Sequence, residues 1–465
     1  MTPAVRTGTP PDDTPHVPVA IVGAGACGLT AALLLADAGI ECVVLERDAS
    51  PSGSTALSSG FIPAAGTLAQ QRHGIDDSAA QFARDIQQKA HGTAAPHLVH
   101  AYARAIAPAL DTLQQRHGIA FEVLEGFLYP GHSALRMHAV AGKTGAALMA
   151  GLLRAAGAAD ITVLTEALVR ELWVDGGAAR MTGIGLLRPD GSVERLRCDA
   201  VLLACNGFGG NPALVRELLP EMAGAIFAGH AGNDGSAISF GRALGARLAD
   251  LGGYQGHGSW AVPHGALVTW ALMVQGAIQV NCQGLRFHDE TQGYSEAAVQ
   301  VLAQPGGVAW NVFDPTLLDF ARTFPDFREA EAAGAVRHAA DLAALAMLIG
   351  CDVPTLAATL ETVRPDALGI DGRRFQRALA PPFCAVKVTG ALFHTQGGLD
   401  IDAGCRVLRQ DGRPWPNLLA AGGAARGVSG DAVWGYLSGN GLLSAVAGGA
   451  IAATTLTGLL AKESP

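Results

Sequence analysis

Residues 17–47 read VPVAIVGAGACGLTAALLLADAGIECVVLER, and this stretch decides the fold. Val17–Val22 is a short, mostly apolar run that predicts a buried parallel strand. It leads directly into Gly23-Ala-Gly25-Ala26-Cys27-Gly28. Apolar residues from about Cys27 to Ala38 predict a helix, and Glu41–Leu45 a second strand ending at the acid Glu46. The three glycines have separate tasks: a tight turn, close approach of backbone to a diphosphate, and close helix–strand packing. The helix N-terminus at Gly25, Ala26, Cys27 and Gly28 offers unpaired N–H groups and the positive end of the dipole to phosphate. Glu46 stands where a carboxylate accepts hydrogen bonds from a ribose. A carboxylate there, followed by the single cation Arg47, disfavours a 2′-phosphate. The expectation is an α/β chain with a Rossmann-type dinucleotide-binding domain.

Working outward, 465 residues exceed what one small core needs. Hydrophobic residues make up 49% and charged residues 16%, which predicts a well-buried globular protein. A net charge of −9 argues against nucleic acid or an anionic membrane as partner. Residues 1–16 (MTPAVRTGTPPDDTPH) are polar and proline-rich, and read as a disordered tail without a secretion signal. The eight cysteines are scattered, with no CxxC pair or Cys/His cluster, so no metal site is expected and a reducing cytoplasm is the simplest location. The uncharged stretch Gly439–Ala461 reads as a buried helix starting at a cofactor rather than as a membrane span.

Along the chain, 52–67 (SGSTALSSGFIPAAGT) reads as a loop wrapped around the cofactor through Ser54, Thr55, Ser59 and Gly60. It holds no histidine for a covalent cofactor bond. Residues 75–118 read as helices, and 128–148 supply Arg136 and His138 as further candidates. Strands are expected at 161–164, 167–174, 182–187 and 200–204, the last entering Cys205-Asn206-Gly207. Residues 241–384 change character, with several histidines and a charged helical stretch, and suggest an inserted substrate (cap) domain of α+β type. The nucleotide domain then comprises 17–240 plus 385–465, closing with the glycine turn at Gly422 and Gly423 and the final helix. One fingerprint means no second domain for a nicotinamide cofactor.

Together with VPVAIVGAGACGLTAAL, the segments SSGFIPAAGT, GHSALRMH, VLLACNGFGGN, HAGNDGSAISFGRALGA, GAIQVNCQGLRFHDE, FHTQGGLDIDAGCRVLRQDGRPWPNLLAAGG and SGNGLLSAVAGGAIAA carry a resemblance. They resemble the flavoprotein superfamily of soluble fumarate reductases, the succinate dehydrogenase flavoprotein and 3-ketosteroid dehydrogenases. The resemblance covers nearly all of the chain after residue 17. It implies non-covalent FAD, with Ala167, Leu168, Asp234, Leu442 and Leu443 joining the cofactor contacts. It also implies that His257 (in Gln255-Gly-His257), Thr269 and His394 help hold a substrate carboxylate.

Departures from the fumarate-reductase pattern point to a different reaction. The arginine expected four residues after Glu290 of RFxxE is Tyr294. The acid–arginine proton relay falls at Trp270 and Met273, and the late substrate-clamping arginine is replaced in the segment holding Tyr436. Tyrosines at both places resemble the ketosteroid dehydrogenase branch. The implied chemistry is FAD-dependent α,β-dehydrogenation of a ketone: a small cyclic keto acid such as 4-oxocyclohexanecarboxylate, or a 3-ketosteroid. Tyr294 would be the base. Tyr436 would polarise the carbonyl with backbone N–H groups of Gly439 and Gly441, beside Ser438. The alternative is fumarate-reductase-like reduction of an unsaturated carboxylate or enone. The electron acceptor and the oligomeric state are left open by the sequence.

Overall fold

A computed structural model describes residues 3–177, 179–365 and 372–461. The apolar run at 17–22 forms the strand His16–Val22, flanked in parallel by Cys42–Leu45 on one side and Val193–Leu203 on the other. In register, Ile21 lies between Val44 and Leu202. Thr162–Leu164 extends the sheet beyond Cys42–Leu45, and Pro414–Ala420 joins beside Val201–Leu203. The strand Val193–Leu203 has two uses. Its first half pairs antiparallel with Arg180–Leu187, and its second half belongs to the parallel sheet. Side chains buried on both faces explain the continuous apolar runs.

The helix Ala26–Asp37 follows the first strand and packs against the last helix, Asn440–Leu460. Small residues make that approach possible. A Cβ on Gly449 would lie 2.4 Å from the Cys27 carbonyl oxygen. Asn440–Leu460 is long and apolar enough to cross a membrane, and half of its most apolar window is buried inside the protein.

The chain forms two units: Met1–Leu218, Gly229–Tyr254 and His394–Pro465 make the first, and Leu219–Ala228 with Gln255–Phe393 the second. The boundaries expected at 241 and 385 are therefore displaced. The helix Ser236–Leu244 buries Ala237 and Phe240 in the first unit's core, and Leu248–Ala249 pairs with Gly398–Leu399 there. Conversely, residues 385–389 pair with Val308–Val312 in the second unit's sheet, and Ile226–Phe227 pair with Ala391 and Leu392.

The expected tail is also corrected. Residues 1 and 2 lie outside the described residues, but Ala4–Thr7 is a strand paired in parallel with Glu171–Val174. The Arg6 guanidinium binds the nearly buried Glu171 carboxylate at 2.9 Å. Likewise the expected loop at 52–67 contains a short helix, Gly53–Leu57, and a strand, Ile62–Pro63.

The second unit is built on an antiparallel core of Val308–Phe313 between Phe383–Thr395 and Ile278–Val280. Helices Pro315–Ala321 and Pro325–Ala332 contribute Leu317, Leu318 and Phe327 to one apolar cluster. Leu342–Ile349 and Val353–Glu361 contribute Leu345 and Leu356 to another.

Candidate active site

The glycine turn is built as a cradle. The helix Ala26–Asp37 is N-capped by Gly25, which has no capping side chain, so its first-turn N–H groups are not consumed by a local cap. Ala26 N–H is held by Thr55 Oγ1 at 3.0 Å. A Cβ on Gly28 would sit 2.0 Å from the Gly23 carbonyl oxygen, so only glycine allows helix and turn to meet. Glu46 is buried, and its two carboxylate oxygens accept N–H from Ala24 (3.1 Å) and Asp48 (3.0 Å). These bonds orient the carboxylate and leave further lone pairs for a ribose.

Other expected cofactor residues gather in the same unit. Ser54 Oγ accepts from the side-chain amides of Asn206 and Asn233, both at 2.9 Å. Asn206 has φ +65°, and its amide oxygen accepts N–H from Gly207. That oxygen would lie 2.1 Å from a Cβ on Gly423, while Gly422 abuts Cys27. Ser58 ties to Gly60 N–H at 3.1 Å, and Ala167 N–H donates to the Glu46 carbonyl at 2.8 Å. Asp234 is engaged by Arg170, Arg47 and Ser236. Burial pushes the thiols of Cys27 and Cys205 up to about 12, so both are neutral packing groups.

At the start of the last helix, the structure brings Tyr436, His394, Gly439 and Gly441 together. The backbone N–H groups of Gly441 and Gly439 act on the Tyr436 oxygen to favour its ionised form, but burial outweighs them and pushes this phenol well above its ordinary value, so it stays protonated. The His394 ring lies edge-on to the Tyr436 ring at 5.5 Å. A chain of side chains fixes it: Asn440 Nδ2 donates to Ser429 Oγ, Ser429 Oγ donates to Gln396 Oε1, and Gln396 Nε2 lies 3.1 Å from His394 Nδ1. Nδ1 also lies 3.4 Å from the Thr395 carbonyl oxygen, but the amide donor is nearer and assigns the proton to Nε2. Burial lowers His394 to about 4, so the ring is neutral.

In the second unit, the structure brings His257, Tyr294 and Trp270 together. Tyr294 opens the helix Tyr294–Leu302 and stacks on His257 at 5.0 Å. Phe393 stacks on His257 as well (5.6 Å), and Trp270 meets it edge-on at 5.8 Å. His257 Nδ1 accepts N–H from Ser259 at 3.1 Å, and burial lowers the ring to about 3. Thr269 is buried immediately before Trp270. The segment leading to Tyr294 is pinned by Glu290, which binds Arg286 and Arg373, each at 2.6 Å. Burial alone would raise Glu290, but the Arg286 hydrogen bond and the two guanidiniums outweigh it and hold the carboxyl low.

Arg136 and His138 are structural. Arg136 is fully buried and bridges Asp77 and Asp85, while His138 pairs with Thr67 Oγ1 at 2.7 Å. Sequence reasoning missed His132, Gln396, Ser429 and Asn233. Only the first carries a local signal, since it lies one helical turn's spacing before Arg136 in GHSALR.

The FAD binding domain family (FAD_binding_2) matches residues 18–442. The chain belongs to that family. It is an FAD-dependent oxidoreductase. It is 28% identical over 421 residues to NADH:fumarate oxidoreductase of Klebsiella pneumoniae (strain 342), covering 89% of this chain and 45% of that protein. This chain thus spans less than half of that relative's length. It is 26% identical over 512 residues to 4-oxocyclohexanecarboxylate 2-dehydrogenase of Sinomonas cyclohexanicum, covering 87% of each. Its fold is shared with 3-ketosteroid-Δ4-(5α)-dehydrogenase of Rhodococcus jostii RHA1 in complex with 4-androstene-3,17-dione. That similarity has a TM-score of 0.79 and 24% identity, over 98% of this chain and all of that one.

The residues present fit FAD. The cradle at Gly25–Gly28 suits its diphosphate and Glu46 its ribose. Asn440 Oδ1 and Ser444 Oγ, at the start of the last helix, are buried without a hydrogen-bond partner. Native interiors seldom leave such groups unsatisfied, and a bound polar ring system would satisfy them. Leu442 and Leu443 stand between them, with Leu443 N–H bonded to the Gly439 carbonyl at 2.9 Å.

Proposed function

We propose that the protein introduces a C=C bond α,β to a ketone, and that its substrate is a small cyclic keto acid of the 4-oxocyclohexanecarboxylate type. The observation that carries this reading is the buried, protonated Tyr436 phenol set edge-on to the His394 ring beside the start of the last helix. Such a group is a hydrogen-bond donor suited to a carbonyl oxygen.

Dehydrogenation removes a proton from the carbon next to the carbonyl and a hydride from the carbon after it. FAD, when bound, supplies the hydride acceptor. Tyr436 lowers the cost of the enolate-like charge that develops on the ketone oxygen. Preorganised donors of this kind are commonly the largest catalytic contribution. Tyr294 takes the α-proton and passes it to solvent, with the neutral His257 ring fixing its orientation by stacking. His394, neutral with its proton on Nε2, donates to the substrate carboxylate, and Thr269 serves the same group. The relative from Sinomonas, similar along most of its length, supports the substrate class. A 3-ketosteroid, a larger cyclic ketone without the carboxylate, is the alternative substrate for the same dehydrogenation. All eight cysteines are unpaired, in keeping with a reducing compartment.

The test is anaerobic bleaching of oxidised flavin near ~450 nm by 4-oxocyclohexanecarboxylate, cyclohexanone, a 3-ketosteroid or succinate. Bleaching by a ketone is expected, fastest with the keto acid. Bleaching by no ketone, together with rapid reoxidation of reduced protein by fumarate, would overturn the reading in favour of an unsaturated-carboxylate reductase.

A further inference from the structure

We propose that His132 is a positioning residue for Tyr436, acting through the Ser438–Gly439 peptide. The inference rests on the reading of Tyr436 as the group that polarises the ketone.

His132 Nε2 lies 3.0 Å from the Ser438 carbonyl oxygen. A carbonyl only accepts, so Nε2 carries the proton. Nδ1 faces Arg136 Nη1 at 3.4 Å, and a guanidinium only donates, so Nδ1 is the acceptor. The tautomer is thus set from both sides. The ring is buried and stacked on Phe82, with centroids 6.1 Å apart. Arg136 is itself locked: Nε and Nη2 hold Asp77 at 2.7 and 2.9 Å, Nη1 binds Asp85, and the guanidinium lies 4.9 Å over Phe82. The facing charged groups are therefore Arg136, Asp77 and Asp85. Burial lowers His132 to about 4, so it donates as a neutral ring across the working pH range.

A trans peptide carries its C=O and N–H on opposite edges. The peptide whose carbonyl His132 holds carries its N–H on Gly439, one of the two amides that act on the Tyr436 oxygen. Its orientation needs an external anchor. Gly439 has φ +88°, and a Cβ there would lie 2.5 Å from Pro63 Cδ, so the position requires glycine. Glycine lets the preceding peptide rotate at little steric cost. Rotation would turn the Ser438 carbonyl, an acceptor, toward the phenol in place of an N–H. The His132 bond opposes this rotation, and by drawing on the carbonyl it also strengthens the N–H on the other edge.

A buried histidine that merely satisfies a buried carbonyl would affect stability alone, so the test must separate the two roles. His132→Phe keeps the stack on Phe82 and removes the donor. His132→Gln restores an N–H near the Nε2 position. Flavin reduction by 4-oxocyclohexanecarboxylate is measured in both variants, and again with each combined with Tyr436→Phe. His132→Phe is expected to slow reduction about 10-fold or more with KM within about 2-fold, and His132→Gln to recover most of the rate. On the Tyr436→Phe background, His132→Phe should slow the reaction no further. A second readout needs no turnover. Labelling serine carbonyl carbon and glycine nitrogen isolates the Ser–Gly peptides 52–53, 59–60, 429–430 and 438–439 by NMR. The Gly439 amide should shift in His132→Phe and return in His132→Gln. If His132→Phe proves insoluble, Ser–Gly spectra of His132→Gln and His132→Asn decide. Gln should keep the Gly439 amide in place, and Asn, too short to reach, should move it.

An unmoved Gly439 amide, or slowing that adds fully to that of Tyr436→Phe, overturns the inference. Failure of the ketone reading looks different: Tyr436→Phe alone would then leave flavin reduction unchanged.

Discussion

Tyr436→Phe removes one oxygen from a buried position and leaves the ring in place. Two consequences follow from the geometry. The N–H groups of Gly439 and Gly441 lose the oxygen they act on, and a buried donor left unsatisfied costs about 1–3 kcal/mol. Two such groups set a ceiling of roughly 6 kcal/mol, with the low end favoured if water enters the space of the lost oxygen. In a protein of this size each kcal/mol lowers Tm by about 1 °C, so a fall of roughly 2–4 °C is expected. The second consequence is kinetic. Loss of one preorganised donor to a developing oxyanion costs about 100- to 1000-fold in rate. Stopped-flow flavin reduction by 4-oxocyclohexanecarboxylate, beside thermal melts of the same preparation, measures both. A lowered Tm with a rate within about 10-fold of wild type would make the phenol a structural plug and refute its role as donor. An unchanged Tm would show that the two glycine amides do not depend on the phenol oxygen. The wild-type rate should also show no break from Tyr436 below pH 10, because burial moves this phenol upward.

Tyr294→Phe should slow flavin reduction by about 100-fold or more without loss of bound FAD, and reduction at the wild-type rate would remove it as base. Gly441→Ala would place a Cβ 2.7 Å from His394 Nε2, forcing the ring off Gln396. KM for the keto acid should rise about 10-fold while cyclohexanone turnover is little changed, and equal effects on both would show that His394 does not see a carboxylate. Acid stability should fall early. His257 and His132 titrate at about 3 and about 4 in the folded protein, against about 6.5 unfolded. Between these values the unfolded chain binds more protons, so stability is lost as pH falls below about 6.5 and nothing more is gained above it. By pH 5 the two together cost about 4 kcal/mol, and urea midpoints that stay flat from pH 7 to pH 5 would contradict their burial as neutral rings.

The nucleotide cradle was legible because it is local. Strand, glycine turn, helix and acid lie within 31 residues, and each expected piece appears within two residues of its place. What was illegible depends on partners far along the chain. Val5 lies in a proline-rich segment that reads as a tail, yet it pairs with Leu172. Arg136 reads as a site residue because its partners, Asp77 and Asp85, stand 59 and 51 positions upstream. The resemblance marked Tyr436 and His394, and the structure brings them together. It did not give their protonation, which depends on burial, or the use of the Gly439 and Gly441 amides, which depends on how the last helix begins.

Those protonation states bear on what the protein accepts. A dicarboxylate brings two negative charges, and burying a charge without a cation or dense hydrogen bonding costs several kcal/mol. The candidate substrate residues are neutral in both units. His257 and His394 are held unprotonated by burial, and Tyr436 is held protonated. The nearby guanidiniums of Arg286 and Arg373 are both engaged by Glu290. Neutral N–H and O–H donors are well matched to a ketone oxygen and can hold one carboxylate by hydrogen bonds, whereas a second would find no free cation among these candidate residues. The departures from the reductase pattern then form one change rather than several. Losing the proton-relaying and clamping arginines removes the charges that a dicarboxylate needs, and on the proposed reading tyrosines in their stead would supply a donor and a base for an uncharged carbonyl. On this argument the methyl ester of 4-oxocyclohexanecarboxylate should keep most of the wild-type rate of flavin reduction and lose chiefly affinity, because the carboxylate is held by groups that do not touch the reacting carbons.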